Sequence, residues 1–468
     1  MKKTTLFLIA ALTLNFELLT LNSNAQNTKL FDFSTAEGTS PYGSLTSDGT
    51  FLYGMTYLGG ANDSGTVFKV MPDGTGYSIL LDFAGAANGK QPNGSLISIG
   101  NFLYGMTTYG GADNQGTIFK IMHDGTGYSK LLDFNGGNGS TPWGSLVSDG
   151  TFLYGMTFAG GTNYMGVIFK IMPDGTGYTK LLDFTGTANG GTPRGSLLCD
   201  GTFLYGMTQH GGLNSIGSVF KIKPDGTSYT KLYDFATANG REPFGDLISD
   251  GTFLYGMTGL GGINNKGTIF KIAQDGTGFS KLLDFAGDSN GELPYSSFLL
   301  NGSFLFGMTV YGGANNEGSI FKIKPDGTSF TKLFDFDSIS GAMGSNPASN
   351  LITDGTFFYG MTSAGGLNNK GTIFKVNPAA LGIAENTDAI DFDVFPNPGN
   401  GNLSLTLSTG EGNVSVYNVL GEEVYHIDNS QINKSSNFQI DLSSQSAGVY
   451  FVQLETGQGI GVKKIIIQ

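Results

Sequence analysis

The chain has 468 residues, of which 75 are glycine and only 13% are charged. Average usage would give about 33 glycines at this length. The absence of an every-third-glycine run and a proline count of only 14 exclude collagen, and 36 Phe with 39% hydrophobic residues argue against a disordered chain. A formal net charge of −13 argues against the basic surface that nucleic acid or an anionic membrane requires. What is left is a turn-dense all-β protein, with about three domains as the length prior.

Residues 1–25 read as a secretory signal. Lys2 and Lys3 form the charged start, and Thr4–Leu14 is apolar but too short to span a bilayer. Ser23-Asn24-Ala25 places small residues for cleavage before Gln26. No other stretch has the length and apolarity of a transmembrane helix, so the chain is expected to be exported.

Residues 26–378 are predicted to hold seven copies of one unit. The string LYGMT (once LFGMT, once FYGMT) recurs at intervals of 50–53 residues, centred on Gly54, Gly105, Gly155, Gly206, Gly256, Gly307 and Gly360. Each is followed by Phe-Lys, from Phe68-Lys69 to Phe374-Lys375. The first unit resolves into four predicted strands, Gly43–Ser47, Phe51–Thr56, Thr66–Met71 and Tyr77–Phe83. Asp48-Gly49 and Pro72–Gly76 are the turn signals between them. Four short strands per unit match one blade of a β-propeller. Asp-Phe closes the fourth strand of six units, as in Asp82-Phe83, but the seventh unit lacks it. The missing copy stands at the start, in Leu30–Phe33. The predicted fold is therefore a seven-bladed β-propeller closed by the N-terminal strand, with Leu30–Phe33 antiparallel to Gly371–Val376. An open solenoid is the alternative, and it would need distinct caps.

In such a blade the long connections, Tyr57–Ser64 and Ala84–Asn93 in the first unit, share one end, and that face is the default binding site. Its glycines and Asx residues repeat, whereas its chemistry varies. After the loop proline come Tyr42, Asn93, Trp143, Arg194, Phe244, Tyr295 and Ala348. Before Gly-Gly stand Tyr57, Tyr109, Phe158, His210 and Tyr311. These rings either stack a sugar or peptide at one central site or plug the funnel.

Motifs for catalysis or metal binding are missing. The three histidines, His123, His210 and His426, have no metal or triad spacing, and His123 is expected to be exposed in a hairpin turn. In the Gly-Gly loops carboxylates occur only at Asp63, Asp113 and Glu317 and are absent in four copies, so no repeated oxygen cage is expected. No metal, cofactor or catalytic residue is predicted. The single cysteine, Cys199, replaces a Ser of sibling units and reads as a tolerated small residue. The recurrent Asp before the closing Phe, Asp82 in the first unit, is expected opposite Gly65 and to accept loop N–H groups.

Residues 379–390 read as a linker. Residues 391–468 lose the repeat and alternate through short strands, from Leu403–Leu407 to Gly461–Ile467, which predicts a small Ig-like β-sandwich.

The unit DGTFLYGMTYLGGANDSGTVFKVMPDGTG resembles the GloVer tandem repeat, found in extracellular bacterial proteins with varied surface anchors. Met55 stands where that family often has Thr. The resemblance implies no established enzymatic activity. The tail resembles a type IX secretion C-terminal sorting domain of the kind used by Bacteroidetes. The matching pieces are Phe395–Pro398, Tyr417–Gly421, Asp441–Ser443, Ala447–Val452 and Lys463–Ile467. This resemblance implies Sec export, passage across the outer membrane, and release or surface attachment. Pro396, Asn397, Pro398, Gly421, Gly448, Lys463 and Lys464 would belong to the sorting signal, with the type IX machinery as partner. The expected role is a secreted or cell-surface, non-catalytic module for binding, adhesion or structure, with a glycan or surface protein as its partner. The rival is an extracellular carbohydrate-active enzyme with paired carboxylates on the long-loop face.

Overall fold

The computed structural model describes residues 27–338 and 343–378 of the repeat region. In the tail it describes residues 392–395, 399, 401–407, 412–418, 423–427, 438–446, 448–456 and 459–467. The expected leader 1–25 and linker 379–390 lie outside the described residues. The chain divides into two compact units, Met1–Leu381 and Gly382–Gln468.

Strand β1 spans Thr28–Asp32; the first complete repeat supplies β2 (Thr46–Ser47), β3 (Leu52–Thr56), β4 (Thr66–Val70) and β5 (Ser78–Asp82). The last four form one antiparallel sheet in the order β2-β3-β4-β5. The turn residues explain the tight connections. Asp48 Oδ1 accepts the N–H groups of Thr50 and Phe51, both at 2.8 Å, while Oδ2 accepts the Tyr53 hydroxyl at 2.7 Å. In the next hairpin Asp73 Oδ1 accepts the N–H and hydroxyl of Thr75 at 2.9 and 2.7 Å.

Both faces of the sheet are covered, which is why β3 is buried throughout and shows no polar alternation. Leu52, Phe68 and Val70 face one neighbour and Tyr53, Met55 and Val67 the other, as the two-residue strand period requires. The same four-stranded arrangement recurs five more times. Consecutive sheets share a buried cluster; Tyr53, Met55, Val67 and Phe83, for example, pack on Leu96, Leu103, Phe119 and Ile121 of the next unit.

The seventh sheet combines β1 with Thr372–Val376, Phe358–Thr362 and Ile352–Thr353. Its antiparallel register is Thr28↔Lys375, Lys29↔Phe374, Phe31↔Ile373 and Asp32↔Thr372, and the Phe33 amide continues it to the Gly371 carbonyl at 3.0 Å. Tyr359, Met361 and Ile373 of this sheet share a cluster with Leu45, Leu52, Phe68 and Val70 of the first. The result is an all-β, propeller-like repeat region in which a 3-10 turn at Thr237–Asn239 is the sole helical element among the described residues.

Two local expectations are refined. The first strand shrinks from Gly43–Ser47 to Thr46–Ser47, because the Ser44 amide bonds to the neighbouring repeat rather than along its own sheet. Asp82 pairs with Thr66, one residue past Gly65, and its Oδ1 accepts the Ala61 N–H at 2.8 Å. The same bond recurs at Asp133, Asp183, Asp234 and Asp284, and at Asp32 across the chain ends, where Asp32 accepts from Leu367. Asp335 differs, since its buried Oδ1 has no hydrogen-bond partner among the described residues.

In the tail, Phe392–Phe395, Asn402–Leu407 and Phe438–Asp441 form one sheet. Glu423–Ile427, Gly412–Asn418, Gly448–Thr456 and Gly459–Ile467 form the second. Leu403, Leu405 and Ile440 from the first meet Val414, Val416, Val452, Leu454 and Ile465 from the second in one core. This is a two-sheet sandwich.

Candidate functional site: a central mouth in the repeat region

The segment Pro41-Tyr42-Gly43-Ser44 carries the geometry from which the site is built. The Ser44 N–H donates to Ser95 Oγ, Ser95 N–H to Ser145 Oγ and Ser145 N–H to Ser196 Oγ. Ser196 N–H then donates to Asp246 Oδ1, Asp246 N–H to Ser297 Oγ and Ser297 N–H to Asn350 Oδ1. Asn350 N–H donates to Ser44 Oγ at 2.7 Å, so the series of bonds returns to its first residue. Glycine precedes most of these positions because the backbones touch. A Cβ on Gly43 would stand 2.2 Å from the Gly94 carbonyl oxygen, and one on Gly94 would stand 2.3 Å from that of Gly144.

Two residues before each member of this series stands the residue after the proline. Tyr42, Asn93, Trp143, Arg194, Phe244, Tyr295 and Ala348 therefore converge, with Tyr57, on one cavity of about 360 Å³. The seven bonded residues form its floor and also line a second cavity of about 280 Å³ beyond it.

Half of the rim is a continuous ladder of rings and one cation. Phe158 stacks on Trp143 with centroids 5.4 Å apart. The Arg194 guanidinium carbon lies 4.2 Å from the Trp143 ring centre and 4.8 Å from that of Phe244. Phe244 meets Tyr295 edge to face at 4.3 Å. Across the mouth Tyr42 and Tyr57 make an edge contact at 5.4 Å. Burial raises the hydroxyl pKa of Tyr42, Tyr57 and Tyr295, so all three are neutral donors at physiological pH. Burial also lowers that of Arg194, against the opposing influence of Tyr295 and Glu242, but a guanidinium keeps its charge.

The second predicted set divides. Tyr57 lines the cavity and Phe158 backs Trp143. Tyr109, His210 and Tyr311 stand one residue later in their repeats, in the bridges Lys90↔Tyr109, Gly191↔His210 and Glu292↔Tyr311, and do not line it. The two positions before Gly-Gly are therefore not equivalent, although Tyr311 lies near enough to Tyr42 and Tyr295, and Tyr109 to Tyr57, to help raise their hydroxyl pKa. His210 is exposed, with Nδ1 2.8 Å from Thr192 Oγ1.

His123 departs from expectation. It is half-buried, stacked on Tyr53 at 5.0 Å with Nε2 2.9 Å from Ser98 Oγ, because its hairpin folds against the adjoining sheet. Cys199 is partly buried beside Leu197 and Leu204. The floor residues Ser44, Ser95, Ser145, Ser196, Asp246, Ser297 and Asn350 were not singled out from sequence. Their signal is a polar residue three places after each loop proline, usually preceded by glycine. Among the described residues no group of three His, Cys, Asp or Glu is placed to hold a metal ion. Of the predicted sorting residues, Pro396, Asn397, Pro398 and Gly421 lie outside the described residues. Gly448 opens a long strand, and Lys463 and Lys464 pair with Val452 and Phe451.

Fold and tail together define a secreted, propeller-like tandem-repeat protein of the cell surface. The model for the Gloeobacter/Verrucomicrobia repeat matches residues 16–152, 146–272 and 248–417, and the chain belongs to that family. The secretion system C-terminal sorting domain matches residues 393–468, which marks the chain for type IX secretion and surface attachment. Among the described residues no helix is long and apolar enough to cross a membrane. No curated protein matches the chain.

Solved structures resemble it at low identity. PorZ, an essential surface component of the type IX secretion system of Porphyromonas gingivalis, is 13% identical over 92% of this chain and 59% of its own, with a TM-score of 0.49. The extracellular domain of a one-component system from B. thetaiotaomicron is 13% identical over 95% and 59%, with a TM-score of 0.48. An oligogalacturonate lyase in complex with manganese is 12% identical over 74% and 91%, with a TM-score of 0.47. The chain thus spans 59% of the length of the first two.

Proposed function

We propose that the seven sheets are the blades of a closed β-propeller over residues 26–378, completed by β1, and that this exported protein is a non-catalytic binding module. Its ligand is a glycan, held in the central mouth. The observation that carries this reading is the ladder Phe158–Trp143–Arg194–Phe244–Tyr295 on the rim of a 360 Å³ cavity. A cavity of this size is in the range that takes a small ligand, and aromatic rings with hydroxyl donors suit the apolar face and polar edge of a pyranose. The returning series of seven bonds and the cluster joining first and last sheets support closure. The rival hydrolytic reading requires two facing carboxylates, whereas among the described residues the cavity lining carries one, Asp246. That difference favours binding.

A glycan array with the purified full chain tests the proposal, using Trp143→Ala as the control. We expect discrete hits that Trp143→Ala weakens about tenfold or more in a chain that still folds, taking as the scale the about 1–3 kcal/mol of a base stacked on an aromatic ring. An empty array, or hits that survive the substitution, contradicts it and leaves adhesion to protein or a scaffold role.

A further inference from the structure

Among the described residues Arg194 is the one cation in the cavity lining, and they offer it rings rather than an acid. Its Nε is buried without a hydrogen-bond partner among the described residues. No carboxylate forms an ion pair with it among those residues. Glu242, the acid that influences it electrostatically, is held by Arg241 at 2.7 Å and accepts from Gln209 Nε2 at 3.4 Å. A guanidinium whose buried Nε lacks an acceptor is an uncommon arrangement, and its planar fork matches a carboxylate in two parallel bonds. Asp246 fixes where an acid could sit. It lies in the floor, two residues beyond Phe244, with Oδ1 already taken by the Ser196 amide, and its charge repels an anion from the depth of the cavity. The rim beside Arg194 remains.

On the reading that the mouth binds a glycan, we propose that the glycan is acidic. A uronic acid residue lays its pyranose ring on the Trp143–Tyr295 side of the rim, and its carboxylate accepts from the Arg194 guanidinium. The chain's net charge of −13 does not recruit such a ligand, so selectivity rests on this local pairing and weakens with salt.

Trp143 is the only tryptophan in the chain, so its emission reports on the mouth directly. The test titrates the full chain with oligomers of glucuronate, galacturonate and mannuronate, each beside its carboxyl-reduced neutral form, by fluorescence and by calorimetry. We expect at least one uronide to bind about tenfold or more tightly than its neutral form, the scale of one charge-assisted bond pair. Arg194→Gln should weaken that uronide more than its neutral form and so abolish the difference between the two. Neutral forms that bind as tightly as the acids, or a uronide indifferent to Arg194→Gln, overturn the acidic ligand while the glycan reading stands. Silence from all six ligands by both methods overturns the acidic ligand and, with an empty array, the glycan reading too. The wild-type comparison of acid with neutral form holds even if the variant fails to fold.

Discussion

Asp246 shows what a single position in the floor must supply. Four of the seven floor positions are occupied by Ser44, Ser95, Ser145 and Ser196, and each accepts one N–H from the preceding repeat. The requirement is a short side chain with an acceptor, which Asp246, Ser297 and Asn350 also meet. Asp246→Ser should therefore unfold within about 0.5 kcal/mol of the parent chain, whereas Asp246→Ala leaves the buried Ser196 amide unpaired and should lose about 1–3 kcal/mol. Denaturant midpoints compare the two; equal losses would show that the side-chain acceptor is not what the position requires. The rim was easier to read than the floor. The residue after each proline stood out because its chemistry varied against a constant frame. The floor polar residues looked like the ordinary start of a strand, since the bonds that define them reach about fifty residues along the chain.

At the scale of the blade, the turns and strands followed from local signals. Asp-Gly hairpins and the recurring Phe-Lys strand fix the sheet order with little help from distant contacts. The strand ends were less legible, because β2 is shortened by its bond to the next repeat and the second rim set mixes two registers. The hairpin aspartates also set a pH window. Burial pushes the carboxyls of Asp48, Asp149, Asp250 and Asp354 up, but two backbone N–H groups and a tyrosine hydroxyl outweigh it and hold each below the usual range. A depressed folded pKa contributes stability that is complete above the unfolded value, about 3.9, and is lost as pH falls through the folded value. The partner tyrosines Tyr53, Tyr154, Tyr255 and Tyr359 are raised, first by burial and then by those aspartates. Their contribution is complete below about pH 10 and is lost above it. Melting temperature should be level between about pH 5 and 9, then fall below about pH 4 and above about pH 10. A melting temperature unchanged at about pH 2 or 11 would count against these pairs.

For the whole molecule, gathering the seven side chains that follow the loop prolines at one mouth depends on the first strand joining the last sheet. From the sequence this was legible only as a surplus Asp-Phe at the start and a missing one at the end. The register of β1, the Asp32–Leu367 bond and Phe33 in the shared cluster give it physical form. The most direct measurement is backbone hydrogen exchange of the full chain, comparing Thr28–Phe33 with the equivalent outer strand Ser129–Asp133 of the second sheet. A closed ring gives the two segments similar protection, lost together in one cooperative opening. Exchange of Thr28–Phe33 at the rate of a free chain end, with Ser129–Asp133 still protected, would contradict closure and remove the basis for a single mouth.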